Sequence, residues 1–179
     1  GEAGIELGVS ACYAGGVDGW VVMAGGCNFP ENTLDPDSKK RFYKGIYVAK
    51  ASGTDRLDWT KAGVLPQEMA YGVAVACDGG LVVAGGINAK GSLKDVCRIE
   101  LMEGKVHVRK LPSLPCAMDN MAGALVGRKL YVAGGFTNGK ASCRVFRLDM
   151  DNVVRGWEEV TPFPGIARVQ PVAGSMGKG

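Results

Sequence analysis

Apolar residues occur along the chain in short bursts that either alternate with polar ones or run unbroken for five to eight positions. Glycine, aspartate or proline ends each burst. That rhythm predicts strands and turns rather than helices. Three bursts share one form: GWVVMAGGC (19–27), GLVVAGGI (80–87) and KLYVAGGF (129–136). Each is an apolar strand that closes in paired glycines, Gly25-Gly26, Gly85-Gly86 and Gly134-Gly135. A small-residue strand precedes each one: GVSACYAG (8–15), YGVAVACDG (71–79) and MAGALVG (121–127). An alternating strand follows: GIYVAK, DVCRIEL and CRVFRLD. A fourth strand with a polar and aromatic edge completes each set: LDWTKAGVLP, VHVRKLPSLP and GWEEVTPFP.

The glycine pairs recur at positions 25, 85 and 134, so the spacings are 60 and 49 residues. Repeats of roughly 50 residues with four strands each predict β-propeller blades of the kelch kind. Small side chains suit the innermost strand, which crowds around the central axis. The second strand is covered on both faces by neighbouring sheets, hence its continuous apolar run. Trp59 and Trp157 stand near the outer strand, where they are expected to cover the contact between blades. The middle repeat has His107-Val108 there instead. After TPFPG the segment IARVQPVAGSMGKG reads as the first strand of another blade. The expected fold is therefore all-β: blades at about 4–64, 65–113 and 114–163, and the start of a next blade at 164–179. That is about half of a propeller ring. Propellers close with four to eight blades, and three blades alone would leave wide apolar faces open. The rest of the ring, or another copy of the chain, is expected to close it.

Composition narrows the chemistry. The chain has 179 residues, 46% of them hydrophobic and 22% charged, with 28 glycines and no collagen period. A net charge of +3 with acids and bases interspersed offers no basic face for nucleic acid. No apolar run approaches the roughly 20 residues of a membrane-spanning helix, and no signal-peptide pattern is visible. The six cysteines include no C-x-x-C pair and there is one histidine, so no metal site is expected. The cysteines read as small buried apolar side chains, and their even number leaves disulfides open. Asp35 and Asp37 have a metal-like spacing but lack the glycine and distal glutamate of a calcium loop, so a solvated loop is expected. A Ser-His-Asp triad would have to use His107, on an outer strand, and is not expected.

Blade geometry says where a site could form. In an antiparallel four-stranded blade, the loops from strand two to three and from strand four to the next blade emerge on one side. That side collects residues 28–45, 88–94 and 137–141, with the segments PQEMAY, PCAMDN and PGIARVQ. Glu6, Glu68, Tyr71, Asp119, Asn120, Arg168 and Gln170 precede inner strands and should stand nearest the axis. Carboxylates, a guanidinium and amides at a channel mouth suit a polar, anionic small ligand. The same groups could equally cap turns or pair across blades. The substrate-binding candidates are Glu68, Tyr71, Asp119, Asn120, Arg168 and Asn28.

GVSACYAGGVDGWVVMAGGCNFP, KKRFYKGIYV and MAYGVAVACDGGLVVAGGINAKGSLKDV together resemble the cyclically permuted mutarotases. Those are six-bladed kelch propellers that include the N-acetylneuraminate epimerases. The resemblance implies an isomerase of carbohydrate metabolism, periplasmic or secreted. It would speed exchange of the α and β anomers of sialic acid by general acid and base ring opening, without a cofactor. The family's catalytic Glu sits in a "GE" word with an Arg a few residues on. All three blades here read Gly-Gly, so the catalytic residues of this chain are unassigned. The alternative is a non-catalytic propeller that binds carbohydrate or protein.

Overall fold

The computed structural model describes residues 2–31, 37–51, 53 and 55–176. Asp35 lies outside them. In chain order the strands are β1 (Tyr13–Val17), β2 (Trp20–Ala24), β3 (Cys27–Asn28), β4 (Arg41–Phe42), β5 (Gly45–Lys50), β6 (Thr60–Val64), β7 (Val73–Cys77), β8 (Gly80–Asn88), β9 (Gly91–Met102), β10 (Lys105–Leu111), β11 (Met118–Asp119), β12 (Ala122–Val126), β13 (Lys129–Ala133), β14 (Phe136–Thr137), β15 (Lys140–Ala141), β16 (Val145–Asp149) and β17 (Trp157–Val160). They build three antiparallel four-stranded blades: β1-β2-β5-β6, then β7-β8-β9-β10, then β12-β13-β16-β17. The fold is an all-β kelch propeller.

Within blades, tight turns carry the chain back. Asp18-Gly19, Asp78-Gly79 and Glu103-Gly104 all have positive φ at both positions, the geometry of a two-residue hairpin turn that matches strand twist. Between blades, two apolar cores hold the sheets face to face. Tyr13, Val22, Ile46 and Val48 of the first blade meet Leu81, Val83, Cys97 and Ile99 of the second. Val73, Val82, Val96 and Leu111 of the second meet Leu130, Val132, Phe146 and Leu148 of the third. The Trp157 indole N–H donates to the Pro112 carbonyl at 2.8 Å, across that second contact. Residues on the two faces of one strand thus serve two different neighbours, which is why the second strands are apolar throughout.

The paired glycines all have positive φ; they end β2 and β13, while β8 runs on through Gly85 (60°) and Gly86 (117°) to Asn88 with a register shift there, because it pairs on with β9. A Cβ on Gly85 would lie 2.7 Å from the Met118 carbonyl oxygen of the next blade. Glycine is needed there twice over, for its conformation and for the close backbone approach. The six thiols are free; Cys27, Cys77 and Cys97 are buried and the other three half-buried. Burial, with the Asp95 charge nearby, pushes the Cys97 thiol up to about 11, in keeping with an apolar packing role.

No strand is assigned in residues 164–176. A strand needs a partner ladder, and the described chain has no second strand beyond Pro171 to supply one. The segment nonetheless takes the path of a next blade's beginning. Gly135 N–H donates to the Arg168 carbonyl at 2.7 Å, as Gly26 N–H donates to the Met69 carbonyl at 2.9 Å.

Candidate functional site

Each blade begins with the same backbone device. The third residue before the inner strand bridges to the residue just after that blade's glycine pair: Ser10 to Cys27, Ala70 to Ile87, Asp119 to Phe136. The next residue turns into the left-handed region: Ala11 (φ 54°), Tyr71 (60°), Asn120 (52°) and Gln170 (51°). These four residues hydrogen-bond to one another around the axis. Tyr71 N–H donates to the Ala11 carbonyl at 3.0 Å, Asn120 N–H to the Tyr71 carbonyl at 2.7 Å, and Gln170 N–H to the Asn120 carbonyl at 2.7 Å. Left-handed backbone costs a non-glycine residue on the order of 1 kcal/mol or more. It recurs at one position of the three blades and again at Gln170 in the segment that follows them, each time beside a bond of this ring that offsets the cost.

This arc carries the side chains of the candidate site. Gln170 Nε2 donates to Asn120 Oδ1 at 3.0 Å, and Asn120 Nδ2 donates to Asp119 Oδ1 at 2.7 Å. Ser92 Oγ donates to the other oxygen of Asp119. Asp119 is only 3% exposed, so the carboxylate is an anchor that fixes the Asn120 amide at the mouth. Ser92 arrives because the β8–β9 hairpin is long and pairs with β11 at Leu93–Met118. Through β11, β14 and β15 that hairpin joins the second blade to the third along the rim.

A polar cleft of about 570 Å³ opens beside the arc, lined by Glu31, Lys39, Lys40, Arg41, Tyr43 and Glu68 among others. Lys40 links cleft and arc: its ammonium stands 5.0 Å from the Tyr71 ring centroid and 5.3 Å from that of Phe29. It also donates to the Tyr71 hydroxyl at 3.4 Å. Two aromatic faces hold the cation without neutralising it. The loop that presents Lys40 is fixed at its base by Asn28, whose amide donates to the Gly4 and Gly8 carbonyls at 2.8 Å each and accepts from the Tyr43 hydroxyl at 2.8 Å. The Glu2 carboxylate accepts from the Lys44 and Gly45 amides at 3.1 and 2.8 Å.

Of the residues singled out in the sequence, Tyr71, Asp119 and Asn120 come together on the arc, and Glu68 lines the adjoining cleft. Asn28 is spent on loop structure. Arg168 lies apart: it is exposed, with its guanidinium 5.7 Å from the Phe163 ring centroid on the open side of the third blade. Glu6 sits in a short 3-10 turn, bonded to the Gly4 amide. Lys40 and Ser92 were not singled out. Their only sequence signal is membership of loops sent to this face, since reach across blades is not encoded in spacing. Amides, a phenol and an ammonium arrayed in this way can bind hydroxyls and a carboxylate.

Comparisons with known proteins agree with this architecture. A model described as "Kelch motif" matches residues 119–163. The N-acetylneuraminate epimerase 1 of Escherichia coli O6:H1 is 32% identical over 109 residues, 58% of this chain and 29% of that protein. The N-acetylneuraminate epimerase of Brucella suis is 33% identical over 104 residues, 56% of this chain and 27% of that protein. A kelch domain-containing protein of Vibrio cholerae is 41% identical over 63 residues, 35% of this chain and 17% of that protein. The solved structure of YjhT superposes with a TM-score of 0.69 at 14% identity, over 89% of this chain and 54% of that one. The chain thus spans about half of a solved propeller and less than a third of these curated relatives. Its repeat, its blades and these relatives make the chain similar to kelch-repeat propellers, among them proteins named N-acetylneuraminate epimerase.

Proposed function

We propose that the chain is part of a sugar mutarotase that interconverts the α and β anomers of N-acetylneuraminate. The observation that carries this reading is the similarity to several relatives named N-acetylneuraminate epimerase. The polar arc around the propeller axis supports it. Anomer exchange requires a base to take the anomeric hydroxyl proton and an acid to protonate the ring oxygen, after which the open sugar re-closes on either face. On this reading the Asn120 amide, the Tyr71 hydroxyl and the Lys40 ammonium orient the sugar hydroxyls and carboxylate. The acid and base come from elsewhere in the complete ring. An exported location, periplasmic or secreted, belongs to the same proposal.

One observation favours binding without turnover. The carboxylate nearest the arc, Asp119, is buried and held by Ser92 and Asn120, and so is poorly placed to take a proton from a ligand. The two readings separate in one experiment. N-acetylneuraminate anomer exchange is followed by NMR with the complete protein present. Acceleration over buffer supports the mutarotase. Line broadening of the sugar without faster exchange supports the binding propeller, and neither effect would reject both.

A further inference from the structure

The charged groups of the polar cleft fall into two kinds, those that the fold uses and those that it does not. Arg41 donates to the Ala3 carbonyl at 3.1 Å, and the Glu2 carboxylate is taken up by the Lys44 and Gly45 amides. Lys40 and Glu68 line the same cleft and are left over. Among the described residues the Lys40 ammonium meets two aromatic rings and a phenol but no carboxylate. The backbone carbonyl of Glu68 accepts from the Asn88 side-chain amide at 3.0 Å, while its carboxylate has no partner among those residues.

These two groups give the cleft a direction. Lys40 touches Tyr71 and so stands against the arc. Glu68, with Ala89, also lines a second polar hollow of about 270 Å³ beside Lys44, Gln67, Asn88 and Lys90. The cleft therefore leads outward from the arc towards that hollow. Its volume of about 570 Å³ lies in the range that holds a drug-sized molecule rather than a single ring.

N-acetylneuraminate has the complementary layout. Its carboxylate is carried by the anomeric carbon, on one side of the ring oxygen. A three-carbon chain bearing three hydroxyls leaves the ring from the other side. With the carboxylate on Lys40 beside the arc, the chain has the cleft to run into. An ionised carboxyl side chain only accepts, and hydroxyls donate to it in charge-assisted bonds. We infer that the cleft is a subsite for the polyol chain of an acidic sugar. Lys40 takes the carboxylate and Glu68 accepts from the chain hydroxyls, so that the site selects acidic sugars with a long hydroxylated chain over shorter ones. This inference rests on the sugar reading above and goes beyond it, because anomer exchange itself requires nothing of the chain.

The test is an NMR titration of the complete protein with two sugars, N-acetylneuraminate and the same sugar with its chain cut back by two carbons. The shortened sugar should bind roughly tenfold more weakly, the effect of about one hydrogen bond to a charged group. Glu68→Ala should weaken the intact sugar to the level of the shortened one and leave the shortened one unchanged. Lys40→Met should weaken both sugars by a similar factor. Both side chains are exposed, so the circular dichroism of each variant should match the parent. Equal affinity of the parent for the two sugars, or a Glu68→Ala effect that is the same on both, would overturn the inference and leave the mutarotase reading standing. No binding of either sugar would also overturn it, and anomer exchange no faster than in buffer would take the mutarotase reading with it.

Discussion

The open face of the first blade and the covered face of the third are the same surface written twice. In the third blade Phe146 is fully buried, and Trp157 is hydrogen-bonded to Pro112. In the first blade Tyr47 is only half-buried and Trp59 remains 43% exposed. Residue type is nearly the same at each position; what differs is the presence of a neighbouring sheet. Blade stability in this chain is therefore set less by the blade's own residues than by what lies beside it, as in other repeat architectures where interface terms dominate.

Four pairs of positions sharpen this comparison. The largest difference is expected between Phe146→Ala and Tyr47→Ala. Emptying a packed aromatic site costs about 3–5 kcal/mol, whereas the half-covered site should cost under about 1.5 kcal/mol. Urea unfolding of both variants measures it, and equal losses would break the comparison. Next come the glycines that receive the following blade. At Gly85 an added Cβ meets the Met118 backbone oxygen at 2.7 Å, while at Gly134 the nearest atom is the Arg168 oxygen at 3.1 Å. Both have positive φ, so alanine is strained at each. Gly85→Ala should cost about 1–3 kcal/mol more than Gly134→Ala.

A smaller effect is expected from Trp157→Phe against Trp59→Phe. The first loses one interblade hydrogen bond and should cost about 1 kcal/mol; the second should stay within about 0.5 kcal/mol. The smallest concerns the turns at the far end of the blades. Arg128 of the third blade bonds to Asp78 of the second at 2.7 Å and holds its carboxyl below the usual carboxylate range. At the same turn position of the first blade, Asp18 meets Gly79, which offers no cation. A depressed carboxyl pKa stabilises the fold above the unfolded value near ~4, and the gain is lost as pH falls through the folded value. Asp78→Asn should therefore lower the melting temperature slightly at pH 7 and not at pH 2, and high salt should shrink the difference.

Much of the fold was legible because each blade repeats its own grammar. GIYVAK matches β5 residue for residue, and the glycine pairs end the second strands of the first and third blades, whereas in the second blade β8 runs on through Gly85-Gly86 to Asn88 with a register shift there. The site was less so. Tyr71 and Asn120 were legible as residues preceding inner strands, since a repeat fixes their place by counting. Asp119 was visible as a charge, but its burial under Ser92 depends on the length of the β8–β9 hairpin. Lys40 could not be placed, because its meeting with Tyr71 is set by how a loop of the first blade lies over the second. Asn28 resembled a ligand-facing amide and serves instead to pin that loop. Arg168 was expected near the axis on the strength of its position. Its side chain turns instead to the Phe163 ring.

The central claim is that successive blades are joined around an axis by the backbone bonds from Tyr71 to Ala11, Asn120 to Tyr71 and Gln170 to Asn120. Amide hydrogen exchange by NMR in dilute monomer tests it most directly. Ala11 shares the left-handed conformation of the others, yet among the described residues its N–H has no acceptor. Slow exchange at Tyr71 and Asn120 with fast exchange at Ala11 is the expected result. Equal rates at all three would contradict the claim.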